Sequence, residues 1–398
     1  MKRLFLLLAA TFCVAGAEAQ NVIPEVHRSC KEAYNRRTEI VLPQVNGYNC
    51  YKADFHIHTT YSDGRMNPAG RVIEAWQDGL DIIAITDHYE NYRNLKSFFK
   101  ITAGFNEDGK PSTYVLPSKS NCIKMDFNGI HEEAVAQRDK AGYNMVIIKG
   151  CEMARNAKTH GHFNCLFLKD INTLYNKDLS IAFDNVHAQG GLVIHNHPAY
   201  VRGTTAKSEW HTEVYNAGKI DGIEVANGFS FYPPIVRRSV EEKLFMVGGS
   251  DEHGETIRKY GSCDVYRTMT LILAKELTEE AVKEALLKRR TITYTGGILI
   301  GEEKWLADYL NAAIDCRLLK VDAKSGERTF QFTNTTSITY NLTNGSKYVY
   351  ELKPFQAVTV TFGKDKESGK YLAPTFTVEN MWHIDYQHPT ITIEIDKK

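Results

Sequence analysis

The stretch DFHIHTTYSDG, residues 54–64, places two histidines one residue apart, directly after an apolar lead-in and just before a polar turn. In a β-strand, residues i and i+2 point to the same face, about 6.5 Å apart along the chain. His56 and His58 can therefore aim two imidazoles in one direction, and Asp63 follows in the turn. One such pair can arise by accident, so its meaning depends on what the rest of the chain supplies.

Three more pairs of ligand-type residues, each separated by one residue, stand beside apolar runs. They are His160 with His162, His195 with His197, and Asp251 with His253. Asp87 and His88 follow the run IIAIT, and Glu152 follows VIIKG. Imidazole and carboxylate groups suit zinc, manganese or iron. Because there are more candidate ligands than one tetrahedral ion needs, we expect two or three divalent transition-metal ions.

The apolar runs themselves predict the fold class. Six of them are typical of buried strands, namely residues 80–86, 143–150, 162–168, 190–195, 221–226 and 244–250. Helix candidates lie between several of these runs, for example 67–79, with Pro68 near its start, and 131–142, which ends at a glycine. Alternating strands and helices predict an α/β protein with a parallel sheet, open or closed into a barrel, whose active site lies at the carboxyl ends of the strands.

The two ends of the chain have a different character from the middle. Residues 1–19 combine a charged start, an apolar core and a small-residue cleavage site ending at Ala19, which predicts a signal peptide and an exported protein. Residues 316–398 alternate threonine, aromatic and apolar residues, which is typical of a small antiparallel β domain. The segment 91–126 shows no clear period, and we interpret it as a long excursion at the mouth of the sheet.

Composition and charge limit the classes of molecule that we expect the protein to bind. The chain has 398 residues, with 48 basic and 48 acidic side chains. Loss of residues 1–19 would remove two basic groups and one acid, leaving a net charge of −1. This balance argues against a nucleic-acid or membrane-surface partner. After residue 19, no stretch is apolar for long enough to cross a bilayer.

Six motifs occur in a fixed order along the chain: FHIHTTYSDG, ITDH, GCE, GHFN, HNHP and GSDEHG. Together they resemble the polymerase-and-histidinol-phosphatase (PHP) superfamily of metal-dependent phosphoesterases, and they resemble most closely a secreted, phosphodiesterase-like branch with a C-terminal β domain. The resemblance covers about residues 51–300. It implies a distorted (β/α)7 barrel over 51–315, after a signal peptide (1–19) and an N-terminal segment (20–50). A β-sandwich domain would follow over 316–398.

The resemblance also implies a set of metal ligands, carried over motif by motif. They are His56, His58, Asp63, His88, Glu152, His162, His197, Asp251 and His253, with Glu152 as the bridging carboxylate. His160 and His195 would hold a ligand or contact substrate, and Asp87 would orient a neighbour. The segment Lys158-Thr159-His160 departs from the small residues or prolines expected before GHFN, which puts the local substrate contacts in doubt.

These residues predict hydrolysis by a hydroxide that bridges the ions and attacks phosphorus, with the ions neutralising charge on the oxygens. Arg155 is the candidate for a guanidinium that binds the phosphoryl oxygens, with a surface salt bridge as its alternative role. His253 or His195 would protonate the leaving oxygen. By position along the chain, Asn227 and Tyr61 are candidates for lining the substrate pocket.

The leading hypothesis is an exported phosphodiesterase acting on small organic phosphate esters. The first alternative is a metallohydrolase with the same barrel that cleaves an amide, ester or carbamate, because the same nucleophile can attack a carbonyl carbon. The second is a non-catalytic binding protein, which the complete set of motifs disfavours. A nuclease is also disfavoured, because a near-neutral exported chain is poorly suited to long polyanions.

Overall fold

The structure is a computed structural model that describes residues 36–89, 94–95, 100–105, 111–115, 123–155, 158–263, 265–345, 348–364, 369–384 and 386–395. Between residues 94 and 124 the description covers the backbone only. Residues Ile40–Lys398 form one unit, and Met1–Glu39 form a second unit that contains the described residues 36–39. The predicted signal peptide, 1–19, lies outside the described residues.

The strands are numbered in chain order. They are β1 (Asn49–Asp54), β2 (Ile82–Ile85), β3 (Asn94–Leu95), β4 (Lys100–Phe105), β5 (Pro111–Val115), β6 (Ile123–Lys124), β7 (Val146–Ala154), β8 (His162–Leu166), β9 (Leu192–Asn196), β10 (Gly222–Asn227), β11 (Ser230–Phe231), β12 (Phe245–Gly249), β13 (Met269–Ala274), β14 (Thr291–Thr295), β15 (Ile298–Gly301), β16 (Ile314–Val321), β17 (Arg328–Asn334), β18 (Tyr340–Thr343), β19 (Tyr350–Leu352), β20 (Ala357–Phe362), β21 (Thr375–Val378), β22 (Met381–Trp382) and β23 (Thr390–Thr392).

The helices are numbered in the same way. They are α1 (Pro68–Gln77), α2 (Phe127–Ala141), α3 (Leu179–Ala188), α4 (Glu209–Asn216), α5 (Pro233–Glu241), α6 (Thr256–Lys259), α7 (Glu279–Leu287) and α8 (Glu303–Ala313). Helix α1 begins as predicted, with Pro68 in its first turn and the Asn67 side chain accepting a hydrogen bond from the Gly70 amide at 2.8 Å. Helix α2 ends at Gly142, whose φ of 68° is left-handed.

Strands β1, β2, β7, β8, β9, β10 and β12 pair in that order. The ring closes just beyond β12 and β1, where the Asp251 amide donates to the His56 carbonyl at 2.9 Å. Beside it, the His58 amide donates to the Glu252 carbonyl at 3.1 Å. This closure confirms the predicted distorted barrel, and it brings the first and last motifs of the sequence side by side.

Strand β8 is the source of the distortion. It runs antiparallel to both β7 and β9, whereas the alternation of strands and helices predicts parallel neighbours. The connection from β7 to β8, residues 155–161, is too short for a helical crossover, which takes about a dozen residues or more. The chain therefore turns back as a hairpin, and the amino end of β8 meets the carboxyl ends of β7 and β9.

The barrel sheet extends into the C-terminal part of the chain. Strands β13, β14 and β15 continue the sheet from β1 by antiparallel pairing, and β22 adds to β15 in parallel. Two smaller sheets follow, with strand orders β16-β17-β20 and β19-β18-β21-β23. Phe376 packs between them, with ring centroids 5.0 Å from Phe332 and 5.5 Å from Phe362. This packing confirms the predicted β-sandwich.

The segment 91–126, predicted to be a long excursion at the barrel mouth, contains two short antiparallel pairs among its described residues. Strand β3 pairs with β6, and β4 pairs with β5. The sequences of β4 and β5, KITAGF and PSTYV, are not continuous apolar runs of the kind that predicted the barrel strands. In the described part of the chain, none of the helices combines the length and the apolar character needed to cross a bilayer.

Candidate metal centre

The predicted ligands meet at one end of the barrel because each lies at or just beyond the end of a strand. His56 and His58 follow β1, His88 follows β2, and His197 follows β9. The antiparallel course of β8 brings its first residue, His162, to the same end. The remaining ligands come from strand β7 and from two turns; they are Glu152, Asp63, Asp251 and His253.

Glu152 lies at the centre of this cluster and is fully buried. In β7, Glu152 and Ile148 share a strand face, while Cys151 and Met153 pack into the hydrophobic core on the other side. One or other carboxylate oxygen of Glu152 lies within 3.7 Å of a nitrogen of five imidazoles. Those distances are 2.7 Å to His88, 3.2 Å to His162, 3.4 Å to His56, 3.5 Å to His197 and 3.7 Å to His58.

Two further carboxylates flank Glu152. Asp251 Oδ1 lies 3.3 Å from His56 Nε2 and 3.2 Å from His58 Nε2. Asp63 lies on the open side, with its carboxylate oxygens 3.4 Å from His88 Nε2 and 3.3 Å from His253 Nε2. Each histidine therefore faces at least one carboxylate. In this arrangement an imidazole and a carboxylate can bind the same cation.

Two observations indicate that these donor atoms are suited to binding metal ions. The structure gathers them into four overlapping groups, in each of which the ligand atoms lie within 4.8 Å of one another. The groups are His58, Asp63, His88 and His253; His56, Glu152 and His197; His56, His58 and Asp251; and His88, Glu152 and His162. In addition, the Nε2 atoms of His56 and His58 are buried without a hydrogen-bond partner among the described residues, which is costly unless a cation takes that place. The cluster is thus suited to binding metal ions.

The electrostatics of the cluster keep its carboxylates ionised but act on its histidines in two directions. Burial lowers the pKa of each of these histidines, yet the neighbouring carboxylates outweigh it and raise the pKa values of His56, His88, His197 and His253. Burial alone would raise the pKa of Glu152, but the positive charges on His88 and His56 outweigh it and hold that pKa well below its usual value. The same opposition, with His56 and His58 as the partners, keeps the pKa of Asp251 well below normal. Burial lowers the pKa of His58 despite the nearby carboxylates, which favours the neutral imidazole.

Two of the clustered residues have strained backbones. His197 has a φ of 23° and Asp251 a φ of 51°, a region that side chains other than glycine rarely occupy. In both cases the chain turns sharply at the end of a strand, and the turn directs the side chain into the cluster. Strain of this kind concentrates at functional sites, where it costs of order 1–3 kcal/mol per residue.

Glu224 is a buried carboxylate that the sequence analysis missed. Its Oε1 lies 2.7 Å from His56 Nδ1, and its Oε2 accepts from the His197 amide at 2.7 Å. Asn227, predicted to line the pocket, donates to Glu224 at 3.0 Å and to Asp251 Oδ2 at 3.3 Å. These contacts orient the clustered side chains. The sequence did contain a sign of this role, because Glu224 is an acidic residue inside the apolar run DGIEVA.

Two polar residues hold other parts of the cluster. Asn196, at the end of β9, donates to Glu152 Oε1 at 2.8 Å. Asp87 accepts from the Thr59 amide at 2.7 Å and from its hydroxyl at 2.6 Å, and it accepts from Ser62 as well. Asp87 thereby fixes the turn that leads to Asp63, in line with the orienting role expected for it.

Arg71 links the first and last motifs from beneath the cluster, and the sequence analysis did not single it out. Its side chain is fully buried. The guanidinium donates to the carbonyls of His58 at 2.9 Å, Glu252 at 2.9 Å and Gly254 at 2.6 Å, and to Glu74 at 2.8 Å. One side chain of α1 therefore holds the two backbone segments that carry four of the candidate ligands.

Arg155 and Tyr61 are engaged by neighbouring protein groups. The Arg155 guanidinium donates to the carbonyls of Asn176 and Lys177, and it lies 5.2 Å from the ring centroid of Tyr175. The Tyr61 hydroxyl donates to Glu133 at 3.0 Å. Their roles at the substrate stay predictions, and the structure gives each of them a protein partner.

His195 lies in a different pocket from its sequence neighbour His197. Strand alternation places it with Val193, on the face opposite Asn196. Its ring stacks on Phe163 at 4.8 Å and on His211 at 5.1 Å. Its Nδ1 lies 2.7 Å from the Tyr215 hydroxyl. The idea that both histidines of the pair aim the same way is therefore wrong, because the strand ends at Asn196 and the chain turns at His197.

His160 also falls outside the four ligand groups. It lies on the hairpin between β7 and β8, with its ring edge-on to Trp210 at 4.4 Å and its Nδ1 2.8 Å from the Thr159 hydroxyl. Its carbonyl lies 2.8 Å from Nε2 of His211. These contacts anchor the hairpin to helix α4, which follows β9.

A barrel of this kind with a histidine and carboxylate cluster at its end is typical of metal-dependent hydrolases. The structure is similar, with a TM-score of 0.75 and 31% identity, to that of a two-domain protein from Bacteroides vulgatus containing a predicted PHP-like metal-dependent phosphoesterase. The match covers 90% of this chain and 99% of that one. The chain belongs to the family of PHP-like metal-dependent phosphoesterases.

Two other solved structures match less closely. A candidate metal-dependent phosphoesterase from Bifidobacterium adolescentis is 16% identical over 60% of this chain and 96% of its own, with a TM-score of 0.37. A lesion-specific endonuclease from Pyrococcus furiosus is 13% identical over 64% of this chain and 59% of its own, with a TM-score of 0.39. No protein-family model and no curated protein matches the chain.

Proposed function

We propose that the chain is an exported phosphodiesterase that hydrolyses small organic phosphate esters with the help of two or three divalent transition-metal ions. The observation that carries the proposal is the position of Glu152, which belongs to one ligand group with His56 and His197 and to another with His88 and His162. A single carboxylate shared between two such groups suits ions held close together, as in two-metal phosphoester hydrolysis.

The ions would be held by the nine clustered side chains, from His56 to His253. Such ions lower the pKa of a bound water and neutralise charge on phosphoryl oxygens. His253 is assigned as a ligand in preference to a proton donor. Its Nδ1 lies 2.9 Å from the Asp251 carbonyl, which can only accept, so a cation bound beside Asp63 would meet the Nε2 lone pair.

The remaining parts of the proposal rest on the sequence. Export rests on residues 1–19, and a small substrate without a nucleic-acid partner rests on the balanced charge. Asp63 and His253, with side chains 40% and 39% exposed, mark the side from which a substrate would approach. The other histidines of the cluster are more deeply buried, so a substrate would meet this side first.

The test is elemental analysis of the purified protein combined with turnover of bis(p-nitrophenyl) phosphate and of p-nitrophenyl phosphate after loading with Zn²⁺, Mn²⁺ or Fe²⁺. The proposal expects two or more ions per chain and faster turnover of the diester. Glu152→Gln should lose both metal and activity, while Glu241→Gln, at an exposed pair with Arg237, should lose neither. Turnover of the monoester alone would indicate a phosphatase, and a chain that binds metal and cleaves neither ester would contradict the proposal.

The second candidate is a hydrolase of an amide, ester or carbamate. It is favoured by the contacts of Arg155, whose guanidinium already donates to the backbone carbonyls of Asn176 and Lys177. The discriminating variant is Arg155→Ala. If phosphodiester turnover falls by tenfold or more in that variant while hydrolysis of p-nitrophenyl acetate is unchanged, the phosphate assignment is strengthened. Rapid ester hydrolysis by a protein inactive on both phosphates would favour the carbonyl substrate.

A further inference from the structure

The turn after β9 carries an aromatic side chain that no part of the proposed chemistry uses. Tyr200 is 58% exposed, yet its ring centroid lies 4.9 Å from that of His197 and 6.0 Å from that of His162. His197 is only 6% exposed. The tyrosine therefore borders the cluster directly, with its ring steeply inclined to those of two candidate ligands and more than half of the residue open to solvent.

Local hydrogen bonds fix the position of this ring. The Tyr200 amide donates to the His197 carbonyl at 2.8 Å, and the Gly203 amide donates to the Ala199 carbonyl at 2.9 Å. The next residue, Val201, is 51% exposed and has a φ of 61°, a conformation that is costly for a β-branched side chain. The turn thus maintains a strained backbone and exposes the apolar side chains of Tyr200 and Val201 beside the metal ligands. Strained backbones are concentrated at functional sites, so the strain indicates that this turn has a function.

We infer that Tyr200 is a specificity-determining residue that stacks against a planar aromatic group of the substrate. This inference rests on the proposed phosphoesterase function and names the class of ester, one with an aryl or nucleobase group near the phosphate. A phosphorus atom at the cluster would place its ester substituents within reach of an adjoining ring. Aromatic rings stack favourably beyond simple area burial, by an amount that corresponds to about a threefold to tenfold gain in affinity.

The test compares two stable phosphorus ligands, phenylphosphonate and methylphosphonate, on the metal-loaded protein. Their dissociation constants would be measured by calorimetry, and their inhibition constants against bis(p-nitrophenyl) phosphate turnover. The wild type should bind phenylphosphonate about threefold to tenfold more tightly than methylphosphonate. Tyr200→Ala should abolish this preference without changing the affinity for methylphosphonate or the metal content, and Tyr200→Phe should retain the preference.

The matched control is Phe355→Ala. Phe355 is 60% exposed and has a left-handed φ of 58°, but it lies in the β-sandwich domain. Its replacement should leave the preference intact. Adenosine 5′-monophosphate, tested in the same way, distinguishes a nucleobase preference from an aryl preference. Equal binding of the two phosphonates by an enzyme that does turn over the diester would overturn the role of Tyr200 alone, whereas absence of all phosphoester turnover would overturn the proposed function and this inference with it.

Discussion

His56 Nδ1 lies 2.7 Å from Glu224 Oε1, and both side chains are buried. The carboxylate accepts the Nδ1 proton and so fixes the tautomer of the ring. The Nε2 atom faces Glu152 and Asp251, whose oxygens lie 3.4 and 3.3 Å away, so a cation bound between them would meet the Nε2 lone pair. A second contact from Glu224, to the His197 amide, couples the same carboxylate to another candidate ligand.

The first prediction concerns this carboxylate. Glu224→Gln should weaken metal affinity about 10- to 100-fold, because residues that orient a ligand contribute that much to metal binding. Glu224 accepts from His56 and from the His197 amide on different oxygens, and in glutamine one of these two positions is an NH2 group, which cannot accept. Competition with a chromophoric chelator would measure the change. Glu241→Gln, on an exposed surface of α5, is the matched control, and equal affinities in the two variants would show that Glu224 has no orienting role.

The second prediction concerns ion binding and folding stability. Because the cluster is a folded-state arrangement, ions that bind it should raise the melting temperature, and the rise should continue with ion concentration. At about a thousandfold excess over the dissociation constant, the stabilisation would be about 4 kcal/mol. Differential scanning fluorimetry with Zn²⁺ or Mn²⁺ would measure it. Glu152→Gln should remove most of the shift, and an identical shift in that variant would place the binding elsewhere.

Much of the barrel could be predicted from the sequence, because the apolar runs that indicate its strands are short stretches of consecutive residues. Each barrel strand beyond β1 is an apolar run, and the candidate ligands other than His56, His58 and Asp63 lie in or beside such a run. Residues whose role depends on distant partners were not predicted. Glu224 contacts a histidine 168 positions away along the chain, and Arg71 contacts a carbonyl 181 positions away. Spacing within a motif carries no information about such contacts.

Strand alternation was a reliable guide to some of the clustered side chains and failed for one pair. It places Glu152 correctly on the face of Ile148, but it fails for His195 and His197 because β9 ends between them. The left-handed backbone of His197 that redirects its side chain is set by tertiary hydrogen bonds, including the one from its amide to Glu224. Pro198 marks the end of the strand in the sequence, but it does not predict the direction in which the His197 side chain points.

The third prediction tests Arg71. Arg71→Ala should destabilise the fold by about 3–5 kcal/mol, because it removes the nearer charge partner of Glu74, leaving Arg267 at 3.8 Å, and removes donors from three buried backbone carbonyls. Urea unfolding would measure the loss. Arg258→Ala removes an exposed pair with Glu255 and should change stability by less than about 1 kcal/mol. Arg71→Lys should recover part of the stability, and similar small effects in both alanine variants would contradict the linking role.

The fourth prediction is a pH dependence away from the cluster. His187 Nε2 lies 2.9 Å from Asp221 Oδ2, and this hydrogen bond raises the pKa of His187 above its ordinary value of 6.5. A raised folded-state pKa means that the stabilisation is fully present below the unfolded pKa and disappears as the pH rises through the folded pKa. His187→Gln keeps a hydrogen-bond donor but cannot be charged.

The wild type should therefore exceed His187→Gln in stability by about 0.5–1 kcal/mol near pH 5.5, and this difference should vanish near pH 9. Urea unfolding of both proteins at each pH would measure it, and any titration of the metal cluster cancels because both proteins share it. Because the two side chains are 30% and 22% exposed, added salt should reduce the difference at the lower pH. A difference that stays constant between the two pH values would show that the charge on His187 does not contribute to folding.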